Sequence, residues 1–163
     1  MTWPLHTERC QLRPMTLADR EEVFAYRGDR ETNRYQGWIP DTLEDVDTWI
    51  GKRPPEINTP GTWFQLVIEL NGEIIGDIGM NFPEGAETNI TLGCTLAKAH
   101  QGKGLAKECL LHVMAFAQQE LQKSRATAWI LPANHPSIRL FEGLGFELEE
   151  EGELLKYFRK LPV

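Results

Sequence analysis

No apolar run in the 163-residue chain approaches the roughly 20 residues that a membrane-spanning helix needs. The opening stretch, MTWPLHTERCQLRP, is polar and broken by Pro4, so no signal peptide and no membrane partner are expected. Cysteine is scarce. Cys10, Cys94 and Cys109 are an odd, scattered set, which excludes a disulfide framework and points to reduced thiols in the cytoplasm. Cys109 and His112 lie one helical turn apart, yet no second ligand pair accompanies them. They read as a core thiol and an ordinary histidine, and no metal is expected. Basic residues are outnumbered, with 17 Lys and Arg against 24 Asp and Glu and a net charge of −7. That balance argues against nucleic acid as a partner. There is no repeat, linker or low-complexity tract, so residues 1–163 are expected to form one domain, as monomer or homodimer.

The charge that is present is unevenly placed. Residues 98–107 hold Lys98, Lys103 and Lys107 and no acid, whereas ELEEEGE at 147–153 holds five Glu and no base. An anionic ligand and a cationic ligand therefore have separate candidate landing places. If the Glu run faces the second ligand, that ligand is expected to prefer a positive charge.

Periodicity supplies the elements. ERCQLRPM reads as a short strand stopped by Pro14, and Thr16 with Asp19 forms a capping-box signal before LADREEVFAYR. TLEDVDTWIGKR is a second helix, started by Asp41 or Thr42. GTWFQLVIEL and EIIGDIGMNF are β-rich runs joined by Asn71-Gly72, a strong hairpin signal. TNITLGCTL is a further strand. The helix after it carries Leu105, Cys109, Leu110, Val113, Met114, Ala117 and Leu121 on one face. ATAWILP is a strand, NHPSIRLFEGLGF a helix capped by Asn134 and stopped by Gly145, and FELEEEGELLKYFRKL a final strand pair. This order predicts an α+β fold, one sheet flanked by helices.

Between the strand at 88–96 and the next helix lies AKAHQGKG. A glycine-rich, basic helix start is a natural phosphate or pyrophosphate site, because its first amides lack partners and its dipole favours anions. A Walker A loop is excluded, since Ala97 and Gly104 stand where it needs Gly and Ser or Thr. A dinucleotide fingerprint is excluded by Lys107 at its third glycine.

The remaining pattern, Q-x-x-G-x-A from Gln101 through Gly104 to Ala106, resembles the pyrophosphate turn of the GCN5-related N-acetyltransferases. NHPSIRLFEGLGF looks like that superfamily's later motif. TERCQLRPMTLADREEVFAYRGDRETNRYQGW is similar to the opening of its ribosomal-protein N-acetyltransferase subgroup. The resemblance covers nearly the whole chain. It implies a mixed, mostly antiparallel sheet with a splay between strands at 88–97 and 126–132, and acetyl-CoA as co-substrate. Its pyrophosphate would sit on the turn formed by Gln101, Gly102, Lys103, Gly104, Leu105, Ala106 and Lys107. Its pantetheine arm would lie along Cys94 and Leu96 and be reached by Asn134. A primary amine, on a protein N-terminus or a small molecule, would attack the thioester directly.

The chain departs from the superfamily where proton transfer is concerned. Phe141 occupies the position of the usual tyrosine acid, beside the cofactor, and Thr91 that of a glutamate often found in the preceding strand. Ser137 matches a serine of the subgroup and is the candidate partner for the leaving sulfur. Glu151, before Gly152, is the candidate base. Trp38 and Asp77 are candidate acceptor-site residues, Asp77 doubling as a spare base. The alternative is an acyl-CoA-binding protein without turnover.

Overall fold

The computed structural model describes residues 2–162. Eight strands form one sheet in the order β1-β2-β3-β4-β5-β6-β8-β7. They are β1 Leu5–His6, β2 Gln11–Pro14, β3 Thr62–Leu70, β4 Glu73–Phe82, β5 Asn89–Leu96, β6 Arg125–Ile130, β7 Glu147–Glu150 and β8 Leu155–Lys160. The helices are α1 Arg20–Arg27, α2 Leu43–Gly51, α3 Leu105–Leu121 and α4 His135–Gly143. Two short 3-10 turns, Leu17–Asp19 and Lys98–His100, precede α1 and α3.

Every neighbouring pair of strands is antiparallel except β5 and β6. That parallel pair is short, running from Asn89↔Arg125 to Thr91↔Thr127. Beyond Thr91 the two strands part, although β5 stays paired with β4 as far as Leu96. One edge of β5 therefore carries no strand partner from Leu92 to Leu96, and a peptide-like chain can hydrogen-bond there. This is the expected splay.

Local chemistry explains the element ends. Thr42 caps α2 and Asp45 returns the bond, completing a capping box. Thr16 and Asp19 form the same motif, but it opens the 3-10 turn ahead of α1 rather than α1 itself. Asn71 and Gly72 both have positive φ, as the tight turn between β3 and β4 requires. Two clusters form the core. The larger packs α3, through Leu105, Cys109, Leu110, Val113, Met114 and Ala117, against Leu66, Ile68, Ile78, Met80 and Ile90 of the sheet. The smaller packs Val23 and Tyr26 of α1 and Val46 and Ile50 of α2 against Val67 and Ile74 on the opposite face. The sheet is thus sandwiched, with α1 and α2 covering only part of one side.

Candidate active site

The helix start anticipated from AKAHQGKG is built on two left-handed glycines, Gly102 with φ +76° and Gly104 with φ +77°. Gly104 is the N-cap of α3, and no side chain caps it. The first helical bond runs from the amide of Glu108 to the carbonyl of Gly104, so the amides of residues 105–107 lie N-terminal to the first intrahelical donor. A Cβ on Gly102 would meet nothing within 4 Å. Only the backbone conformation, and room for a ligand, call for glycine there. Gln101 plays a structural part, as its Nε2 donates to the carbonyl of Leu96 at 3.0 Å and ties the turn to the end of β5.

A brace beneath the turn was not foreseen from the sequence. Glu108 accepts from the hydroxyl of Thr7 at 2.5 Å, the amide of Arg9 at 2.8 Å and Nε of Arg9 at 2.7 Å. Arg9 in turn donates from Nη1 to the carbonyl of Lys103 at 3.0 Å. Burial pushes the Glu108 carboxyl up, but the bonds from Thr7 and Arg9 outweigh it and hold it below its ordinary range. The contacts span about a hundred residues of sequence, so no local pattern announces them.

From this turn a cleft of about 800 Å³ runs into the splay. Cys94 and Leu96 line it on the β5 side, and Asn134 and Ser137 on the α4 side. Asn134 caps α4, its Oδ1 accepting from the amide of Ser137 at 3.3 Å. The third wall is the segment 31–36 after α1. Asn33 fixes it by donating to the carbonyls of Tyr26 at 2.7 Å, Asp29 at 2.9 Å and Arg27 at 3.2 Å. Arg34, Lys98, Lys107 and Arg139 reach the cleft, opposed by Glu31 alone among carboxylates. The cleft therefore favours an anion. Burial, with Asp77's charge adding to it, pushes the Cys94 thiol up to about 12, so it stays protonated at neutral pH.

Of the residues singled out from sequence, Cys94, Leu96, Gln101, Gly102, Gly104, Leu105, Ala106, Lys107, Asn134 and Ser137 line this one cleft. The others lie elsewhere. Lys103 is exposed and stands outside the cleft wall; its carbonyl serves the Arg9 brace. Phe141 is 3% exposed and packs edge-on against Phe146 at 5.0 Å, so it belongs to the core and does not line the cleft. Asp77 is fully buried, and both its oxygens are engaged: it accepts from Arg27 at 2.7 and 2.9 Å and from the hydroxyl of Tyr26 at 2.5 Å. It does not line the cleft. Trp38 stacks on Trp49 at 4.9 Å, and Trp49 lies under the Arg27 guanidinium at 4.6 Å. This places Trp38 in the buttress behind the cleft wall. Glu151 is exposed, just past β7.

The acidic run also lies away from the cleft. β7 is the outermost strand beyond β8, and Glu149 and Glu150 pair with Arg125 and Lys156. Charge on an exposed edge strand discourages edge-to-edge pairing, which accounts for ELEEEGE without a ligand. Among the described residues, no group of three or more His, Cys, Asp and Glu side chains could hold a metal ion, and no helix is long and apolar enough to cross a membrane.

The family model for the acetyltransferase (GNAT) domain matches residues 9–147. The chain belongs to the GNAT family of N-acetyltransferases. Among curated proteins, it is 29% identical over 155 residues to the uncharacterized N-acetyltransferase p20 of Bacillus licheniformis, covering 94% of this chain and 86% of that one. Among solved structures, a GNAT-family acetyltransferase from Bacillus anthracis superposes with a TM-score of 0.82 at 21% identity, covering 98% of both chains. RimJ from Mycobacterium smegmatis, solved in complex with CoA-disulfide, gives a TM-score of 0.79 at 20% identity over 97% of this chain and 86% of that one. The GNAT family uses acetyl-CoA, and the anion-favouring cleft fits a co-substrate of that kind.

Proposed function

We propose that residues 1–163 work as one N-acetyltransferase domain that moves the acetyl group of acetyl-CoA to a primary amine by direct attack, in the manner of the ribosomal-protein (RimJ/RimL-like) subgroup. The observation that carries this reading is the single cleft joining the Gly102–Gly104 turn to the unpaired edge of β5. The free amides of residues 105–107 and the Lys107 ammonium suit a pyrophosphate. The edge of β5 at Cys94 and Leu96 suits the amide-bearing pantetheine arm, and Asn134 stands opposite it. RimJ, a structural neighbour, was solved with a CoA disulfide, which supports the same use of the cleft.

Acetyl-CoA supplies the thioester; the chain supplies position and polarity. Holding amine and thioester together removes much of the entropic barrier, so a strong internal base is not obligatory. Ser137, like His135, is a polar side chain in the first turn of α4 that lines the cleft. It can donate its hydroxyl proton in a hydrogen bond to the developing thiolate. The protonated Cys94 thiol is no nucleophile, which favours direct attack over an acetyl-cysteine intermediate. The working unit is a monomer or homodimer in the cytoplasm.

An acyl-CoA binder without turnover is the second reading. Phe141 is buried in the core, and the Thr91 hydroxyl is occupied by that of Thr127 at 2.8 Å. Neither can move a proton for the reaction. Steady release of CoA thiol from acetyl-CoA with an amine panel separates the two. Turnover that needs the amine supports the transferase; tight CoA binding with no thiol release supports the binder.

A further inference from the structure

We propose that Arg139 binds the ribose 3′-phosphate of CoA, so that the cleft distinguishes CoA from dephospho-CoA. The inference rests on the acetyl-CoA reading of the cleft and names the residue that selects the nucleotide end of that co-substrate.

α4 presents two stripes to the cleft, because positions three or four apart share a helix face. Asn134 and Ser137 make one stripe; Pro136, Arg139 and Leu140 make the other. The first adjoins the core: Ser137 is half-buried, and Phe141, four residues on, is a core side chain. The second is the outer one, since Pro136 and Arg139 are exposed and Leu140 is half-buried. In CoA the pyrophosphate joins the pantetheine arm to adenosine 3′-phosphate. With the pyrophosphate on the turn and the pantetheine running inward along β5 and the first stripe, the nucleotide is left at the mouth, beside the second. Pro136 and Leu140 offer the base apolar surface, as does Ala106 on α3. Arg139 offers the phosphate a cation.

Arg139 is not committed elsewhere. Arg9, Arg13, Arg20, Arg27, Arg30 and Arg125 each pair with a carboxylate, whereas Arg139 makes no ion pair among the described residues. Glu142, three residues on, is set against the Tyr157 hydroxyl instead, at 3.5 Å. The opposite wall is partly matched already. Glu31 lines it with Arg34 and Lys98, and the Arg34 guanidinium lies over the Tyr35 ring at 5.0 Å. The Asp29 carboxyl, held low first by hydrogen bonds from Thr32, also feels the charge of Lys98. On the α3 and α4 side no carboxylate lines the cleft. Lys107 stands at the turn and serves the pyrophosphate, which leaves Arg139 for the remaining phosphate. A phosphate monoester carries about two negative charges near pH 7, and a planar guanidinium can donate to two of its oxygens at once.

Calorimetry with CoA, dephospho-CoA and adenosine 3′,5′-bisphosphate tests this without turnover. Wild type should bind CoA about tenfold more tightly than dephospho-CoA, the scale of one charge-assisted contact. Arg139→Ala should weaken CoA and the bisphosphate about tenfold and leave dephospho-CoA unchanged, which erases the difference. Arg139→Lys should restore part of it, since an ammonium keeps the charge but not the fork. The ratio of CoA to dephospho-CoA is taken within each variant, so a change in stability cancels. Equal binding of CoA and dephospho-CoA by wild type overturns the proposal, as does a CoA preference that survives Arg139→Ala. An equal loss of both ligands in Arg139→Ala also overturns it, because it would put the guanidinium on the shared pyrophosphate. Binding of neither ligand to wild type refutes the acetyl-CoA reading itself, and this site with it.

Discussion

At the scale of single residues, the cleft depends on a few positions whose geometry allows no ordinary substitute. Gly104 is left-handed, and a Cβ there would stand 3.6 Å from Arg9 Nη2, an ordinary contact. Protein packing therefore tolerates a side chain, but the backbone resists it by roughly 1–2 kcal/mol and a bound pyrophosphate resists it further. Gly104→Val is expected to lower the melting temperature by a few degrees, keep a native circular dichroism spectrum, and abolish CoA binding. Calorimetry reporting wild-type affinity would show that the turn does not hold the cofactor. Ser137 makes a different kind of contribution. A bond to sulfur matters most once thiolate charge develops, so Ser137→Ala should cut kcat about tenfold or more while leaving KM for acetyl-CoA nearly fixed. An unaltered turnover number would reduce Ser137 to a residue of the first helical turn.

At the scale of elements, α1, the loop after it and α2 form a unit held to the sheet by buried charge. Asp77 is completely buried and the Arg27 side chain is 12% exposed. Burial pushes the Arg27 guanidinium down, but Asp77's charge and hydrogen bonds more than restore it. Burial also pushes the Tyr26 phenol well above its usual range, with Asp77's charge next. Removing one partner of such a pair strands the other, at about 3–5 kcal/mol. Asp77→Asn should therefore destabilise the fold by that order in urea titration, and loosen the 31–36 wall of the cleft, raising its amide exchange. A loss under about 1 kcal/mol would show that the pair has little structural weight. This role was hidden in the sequence, where Asp77 looks like a spare base on a strand. Its partners are fifty residues away, and no local period connects them. Legible signals were the local ones: Thr42 with Asp45, Asn71-Gly72, the apolar face of α3, and the glycine turn. Phe141 illustrates the limit from the other side. Its place in a motif is readable, but that it turns into the core beside Phe146 is a property of packing. Likewise the Glu147–Glu153 run advertises charge but not its position on the outermost strand.

At the scale of the whole molecule, carboxylates held by arginines make stability depend on acid. Burial pushes Asp19 up, but hydrogen bonds from Arg13 and the Thr16 amide prevail and its carboxyl lies below the ordinary range. Glu108 is lowered likewise by Thr7 and Arg9. Asp47 is lowered by Arg20. In each case the folded value lies below the unfolded one, near 3.9 for Asp and 4.3 for Glu. The folded state therefore holds fewer protons than the unfolded state in the acid range. Stability from these groups is complete above about pH 5 and is lost as pH falls through the lowered folded values. On the proposed use of the cleft, Glu108 adds a functional consequence, since it positions Arg9 against the carbonyl of Lys103 in the glycine turn. CoA affinity is expected to fall over the same acid range, ahead of global unfolding. Glu108→Gln removes the titrating charge and the Arg9 ion pair. It should weaken CoA binding at pH 7 and flatten the acid dependence of what remains. The check is CoA affinity by calorimetry from pH 7 to about pH 3, beside melting curves at each pH. Parallel pH profiles in wild type and Glu108→Gln would mean that the brace does not control the turn.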